Sequence, residues 1–160
     1  MWTCSFLFCC SLSCCCHDVV RLVSTRLTIT MAVPVLRVAR PTDRLEEVVK
    51  MYTEGLGLEV LGSFDDHDGF DGVMVGRKGC SYHLEFTRER GKTADGSPSP
   101  EHLLVFYEED GDAWEARCDA MEAAGFERVV AHNPYWEGCG RTFRDVDQYC
   151  VVVVNGPSPV

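Results

Sequence analysis

The sequence predicts an α+β fold built from two tandem βαβββ modules whose sheets form a cup. Three observations carry this. The order strand, helix, strand, strand, strand occurs twice, over residues 33–90 and again over 101–155. A Gly-, Ser- and Pro-rich stretch without periodicity, residues 91–100, separates the copies. Laid over one another, the halves put Gly57 on Gly125 and the strand around Glu85 on the strand around Val152. That offset of about 68 residues marks an internal repeat. A four-stranded sheet with a helix on one face leaves its other face bare, and two such sheets cover each other by enclosing a cup.

In the first module, Val33–Arg40 reads as a short apolar strand carrying Arg37 and stopped by Pro41. Asp43 and Glu46 fit a capping box, and Leu45, Val48, Val49 and Tyr52 recur at i, i+3, i+4 and i+7, so a helix is expected here. Gly55 and Gly57 end it. Leu58–Phe64 is the second strand, and an Asp- and Gly-rich turn with His67 leads to the third, Phe70–Gly76. Ser81–Arg88 is the fourth.

The second module repeats this. Glu101–Tyr107 reads as a strand, and Asp112 with Glu115 as a second capping box. Trp114, Cys118 and Met121 line one side of a helix that stops at Gly125. Strands over Phe126–Ala131, Gly140–Arg144 and Tyr149–Val154 complete the module, with a loop holding Asn133-Pro134-Tyr135-Trp136 between the first two of these.

At 160 residues, 46% hydrophobic and 25% charged, the chain has the make-up of a globular domain with a real core. A formal net charge of -10 with no basic run argues against nucleic acid as a partner. Six of the ten cysteines fall in the first 16 residues, and the others, Cys80, Cys118, Cys139 and Cys150, are scattered. Neither set has zinc-site spacing or a secreted disulfide framework, so a reducing cytoplasm fits best.

Residues 1–30 differ in character from the rest of the chain. No basic residue precedes the apolar stretch as a secretory signal requires, and no apolar run reaches the roughly 18 residues that span a bilayer. A transit peptide or palmitoylated cysteines are options for this segment, and a poorly structured extension ahead of a working start at Met31 is the favoured one.

The chemical centre of the sequence is Ser81–Gly91. Its alternation puts Tyr82, Leu84 and Phe86 on one strand face and His83, Glu85 and Thr87 on the other. His83 and Glu85, two residues apart, are separated by roughly 7 Å and can approach one ligand. A strand with its polar side in water has the same pattern, so the assignment depends on a concave surface built by the rest of the chain.

Three segments, Met51-Tyr-x-x-Gly-Leu-Gly-Leu58, His83-Leu-Glu-Phe86 and Phe143-Arg-Asp-Val-Asp-Gln-Tyr149, resemble those of the vicinal oxygen chelate superfamily, which includes glyoxalase I, bleomycin-resistance proteins and extradiol dioxygenases. The last is similar to an Asp-Pro-Asp-Gly-Tyr turn, with Val146 and Gln148 departing from it. The resemblance covers residues 31–155 and implies a glyoxalase-like fold.

It also implies a ligand set, one residue on the first and last strand of each module. Glu85 matches the carboxylate of the first module and His102 the histidine that opens the second. The first-strand position falls at Val33–Val35 and the final carboxylate within Val151–Val153, so half the set is missing. Two protein ligands are too few for a catalytic zinc or iron site. His83 is the candidate third.

The resemblance implies two functions. One is a resistance-type protein that binds a small molecule in the cup without a full metal centre. The alternative is a metal-dependent lyase, isomerase or dioxygenase using Zn, Ni, Mn or Fe on Glu85 and His102, with His83 or His67 as a third ligand and Glu85 also serving as base. A structural or regulatory interaction module is the third option. The cup closes either within one chain or across a homodimer.

Other polar residues have two readings each. His67, between Asp66 and Asp68, is a solvated turn residue or part of a loop closing over the cup. Tyr135 and Trp136 pack over a core edge or wall a pocket for a planar ligand. Arg37 snorkels to the sheet edge or anchors an anionic substrate in the cup. Cys139 and Cys150 read as structural.

Overall fold

Strand β1 (Leu36–Pro41) pairs in parallel with β4 (Tyr82–Glu89), the last strand of its own module. Parallel pairing needs a crossover, and α1 (Leu45–Lys50), continued by a π-helical turn at Met51–Gly55, provides it. The antiparallel strands β2 (Glu59–His67) and β3 (Phe70–Gly76) complete a sheet of order β1-β4-β3-β2. The second module builds the same sheet from β5 (Leu103–Glu108), β6 (Glu127–Val129), β7 (Gly140–Arg144) and β8 (Cys150–Asn155), in the order β5-β8-β7-β6. Its crossover is α2 (Gly111–Ala123), and a short α3 (Tyr135–Cys139) lies between β6 and β7. This computed structural model describes residues 34–95 and 98–159. The N-terminal segment 1–30 lies outside the described residues, as does Val33.

The two modules share one core. Leu45, Val48, Met51, Tyr52, Leu84 and Phe86 of the first are buried with Cys118, Met121, Phe126, Phe143, Val151 and Val153 of the second. The Tyr52 ring stands 4.9 Å from Phe86 and 5.4 Å edge-on from Phe126. Gly55 allows this approach, since a Cβ there would lie 3.1 Å from both the Met121 Cα and the Phe126 ring. The helix-bearing faces of the two sheets therefore meet, and the opposite face of each sheet is left for other work.

A buried polar cluster crosses this core. Arg40 donates to Asp145 Oδ2 (3.1 Å) and to the Tyr52 hydroxyl (2.7 Å), and Tyr52 donates to the same Oδ2 (2.9 Å). The guanidinium also lies 4.2 Å over the Tyr149 ring. Burial pushes the Tyr52 phenol far above its ordinary range, so it remains a donor. Asp145 Oδ1 accepts from the backbone N–H groups of Asp147 and Tyr149 and so shapes the turn before β8.

Within that turn Gln148 adopts φ 72°, a left-handed conformation in which a Cβ is strained. Gln148→Gly is expected to stabilise the protein by about 1 kcal/mol. The urea midpoint checks it.

Both capping boxes are corrected. At α1 the N-cap residue is Arg44 and makes no side-chain cap. Thr42 Oγ1 accepts from the Arg44 N–H instead, while Asp43 accepts from the Ala94 N–H. At α2 the cap is Asp110, whose Oδ1 accepts from the Ala113 N–H, and Asp112 sits in the first turn. No helix among the described residues is long and apolar enough to cross a membrane.

Candidate functional site

The parallel register sets Arg37 opposite His83 and Ala39 opposite Glu85, and the antiparallel register on the other side sets Met74 opposite Glu85. All project from the sheet face away from the helix, because Leu84 and Phe86, their alternating neighbours, are 3% and 1% exposed in the core. Arg37 Nε donates to His83 Nε2 at 2.9 Å, and its Nη2 rests 3.7 Å from the Met74 sulfur. Its Nη1 stands 2.7 Å from Glu85 Oε2. That approach makes an ion pair without hydrogen-bond alignment, and the buried Oε2 has no hydrogen-bond partner. Glu85 is 8% exposed, and the guanidinium above it offsets the cost of burying a carboxylate. His83 Nε2 accepts the Arg37 Nε–H, so the guanidinium engages that ring nitrogen as well as the carboxylate.

Three of the residues singled out in the sequence, Arg37, His83 and Glu85, thus form one cluster. His102 is not brought to it. It is exposed in the turn before β5, where its N–H donates to the Ser99 carbonyl. No group of three or more His, Cys, Asp or Glu side chains able to hold a metal lies among the described residues. The donor set does not fit a divalent metal. The carboxylate is engaged by a cation, the His83 lone pair by the same guanidinium, and the equivalent sheet positions of the second module carry neither carboxylate nor imidazole. Repeat symmetry puts Leu103 at the position of Arg37, Cys150 at His83, Val105 at Ala39, Val152 at Glu85 and Thr142 at Met74.

His67 ends β2 and is exposed, its ring 6.0 Å edge-on from Phe64. The turn beside it is tied down by Arg90, which reaches Asp66 (3.2 Å), Asp65 (3.8 Å) and Asp71 (2.6 Å). Bonds from Arg90, the Asp66 N–H and Arg88 hold the Asp71 carboxyl well below the usual carboxylate range. Burial pushes the Cys150 thiol up, against the opposing charge of Arg144.

Tyr135 and Trp136 lie on α3, a helix where the sequence pattern indicates a loop. Its start is shaped by Asn133, whose Oδ1 accepts from the Tyr135 N–H and whose carbonyl accepts from the Trp136 N–H. Tyr135 is 66% exposed, with its ring 4.9 Å edge-on from Trp136. Trp136 is half-buried and, with Leu103, Ala131 and Thr142, lines a cavity of about 200 Å³. Thr142 carries no sequence signal, since a threonine at an alternating strand position is ordinary.

Two concave sheet-and-helix units of one topology, carrying a carboxylate and an imidazole on the last strand of the first, define a protein of the vicinal oxygen chelate superfamily. Structures of this fold include trypanothione-dependent glyoxalase I of Leishmania major, with TM-score 0.61 at 21% identity over 78% of this chain and 88% of that one. The fosfomycin resistance protein FosX of Mesorhizobium loti has TM-score 0.60 at 11% identity, covering 79% and 94%. The chain belongs to the YycE-like family: residues 36–87 match the YycE-like N-terminal domain and residues 101–155 the YycE-like C-terminal domain. It is 40% identical over 120 residues to the uncharacterized protein YycE of Bacillus subtilis (strain 168), covering 75% of this chain and 86% of that relative. The crystal structure of YycE from Bacillus subtilis has TM-score 0.71 at 41% identity, covering 76% of this chain and 89% of that one.

Proposed function

We propose that this protein binds a small molecule on the concave face of the first module, and that the Arg37 guanidinium takes the place beside Glu85 that a metal would need. The observation that supports this reading is the 2.7 Å approach of Arg37 Nη1 to Glu85 Oε2. Arg37 also uses up the lone pair of His83. An ion pair of this kind leaves the cluster near neutrality, so a neutral polar ligand suits it better than an anion. The reading of Arg37 as anchor for an anionic substrate is correspondingly weakened. Catalysis through Glu85 as a base would need the carboxylate to leave the guanidinium.

Leu36, Tyr82 and Tyr107, exposed around one groove between the β1–β4 pair and β5, are the surface that a second copy would cover in a homodimer. A reducing cytoplasm suits the thiols Cys80, Cys118, Cys139 and Cys150, all free.

The experiment is a screen of small polar and aromatic molecules followed by ¹H–¹⁵N amide shifts. Ligands are expected to move the signals of residues 37–39 and 83–85, and Glu85→Gln, which unpairs Arg37, to weaken them about tenfold. A screen that moves none of these signals, or hits that bind Glu85→Gln equally well, would sink the reading.

A further inference from the structure

Another cavity of about 200 Å³ lies where the two modules meet, lined by Gly57, Arg77 and Tyr82 of the first and by Phe106, Glu108 and Arg117 of the second. Leu56 and Val153, which also line it, are buried in the shared core, so it opens on the helix-bearing side of the sheets. Arg37 and Glu85 project from the opposite face, and neither lines it.

Its basic residues run against the charge balance of the chain. With 25 acidic residues to 15 basic ones, an arginine or lysine readily finds an ion pair. Among the described residues the exceptions are Arg77, Lys78 and Arg128. Two of these are adjacent in the turn between β3 and β4, whose shape is fixed by the Cys80 N–H donating to the Arg77 carbonyl. Arg117, on α2, is positioned without being neutralised. Its Nη1 donates to the Leu56 carbonyl at 2.9 Å, while its Nη2 stands 3.5 Å from Glu108 Oε2, at the outer limit of a hydrogen bond. Gly57 makes room for this arrangement. It has φ 67°, and a Cβ there would lie 2.9 Å from Arg117 Nη1. The Arg117 side chain is 33% exposed, and its other N–H groups have no acceptor among the described residues.

We infer that this cavity binds a small aromatic carboxylate, held at its anionic end by Arg77 and Arg117, with its ring against Tyr82 and Phe106. Two arginines facing one glutamate leave an excess of one positive charge, which a monoanion balances and a phosphate dianion exceeds. Guanidinium N–H groups match the two oxygens of a carboxylate. The volume equals roughly seven waters at about 30 Å³ each, enough for one substituted ring. Neither Arg37 nor Glu85 takes part, so Glu85→Gln is expected to leave this binding unchanged.

Benzoate is the probe, and benzamide its neutral counterpart of the same shape. Each is titrated while the ¹H–¹⁵N amide signals of Gly57 and Cys80 are followed. The expected result is a saturable shift with benzoate at millimolar concentration, and binding of benzamide at least about fivefold weaker. Arg77→Gln, at an exposed turn position, is expected to weaken benzoate about fivefold. Glu108→Gln is expected to tighten it about threefold, because the carboxylate no longer cancels part of the Arg117 charge. A disturbed fold would weaken binding in either variant, so the opposite signs separate charge recognition from damage. The proposal is overturned by the absence of a saturable shift, by benzamide binding as well as benzoate, by Arg77→Gln binding like the wild type, by Glu108→Gln failing to bind more tightly, or by Glu85→Gln changing the affinity.

Discussion

Asp145→Ala is expected to destabilise the protein by about 3–5 kcal/mol, because it removes one partner of a buried ion pair and leaves the other charged. The Arg40 and Asp145 side chains are 8% and 0% exposed, so water does not replace the lost carboxylate. Arg40 Nη1 is already without a partner, and the substitution strips Nη2 of its anion as well. Tyr52 loses its acceptor, and the Asp147 and Tyr149 N–H groups lose the bond that forms the turn. Urea unfolding at pH 7 measures the loss. Adding Arg40→Met is expected to recover part of it, since no cation is then buried alone. A double variant no more stable than Asp145→Ala would mean that the turn, and not the charge, carries the effect.

Gly140→Ala comes second, at about 3 kcal/mol, the upper end of what overpacking usually costs. Gly140 opens β7 opposite Val154. A Cβ there would fall inside contact distance of the Val153 carbonyl oxygen and 3.0 Å from the Val154 Cα. Both are backbone atoms of a central strand, so relief requires β7 to move off β8. Two residues along the chain, a Cβ at Gly138 meets nothing within 4 Å, and Gly138→Ala should change stability by no more than about 1 kcal/mol. Equal effects from the two substitutions, read from urea midpoints, would show that the close approach of β7 to β8 is not what the glycine serves.

Much of the fold was legible because alternation and helical spacing report burial directly. Phe70–Gly76 and Gly140–Arg144 are strands with the bounds read from the sequence, and Leu84 and Phe86 are core as their alternation requires. Tyr82 shares their face yet is 37% exposed, because the strand opens at the sheet's end. The caps are hard to place where several polar residues stand together, Thr42 beside Asp43 and Asp110 beside Asp112, since geometry alone decides which one accepts the N–H. Helix α3 escapes sequence reading because five residues carry too little periodicity to register.

In the site, His83 and Glu85 share a strand, so their adjacency could be read. Arg37 is 46 residues from His83, and only the parallel register of β1 on β4 shows that it pairs with both. Neither of its sequence readings, edge residue or anion anchor, contains the fact that its charge is taken within the protein. His102 matches the pattern of the superfamily by order along the chain, but it stands one residue before Leu103, in the turn and not on the sheet face. A one-residue offset of this kind is invisible without the strand register.

Elemental analysis of the protein, purified without a histidine tag, bears most directly on the role given to Arg37. A guanidinium that already neutralises Glu85 predicts well under one equivalent of Zn, Ni, Mn or Fe per chain. One full equivalent in the wild type, lost in Glu85→Ala, would contradict it and put a metal where Arg37 now sits.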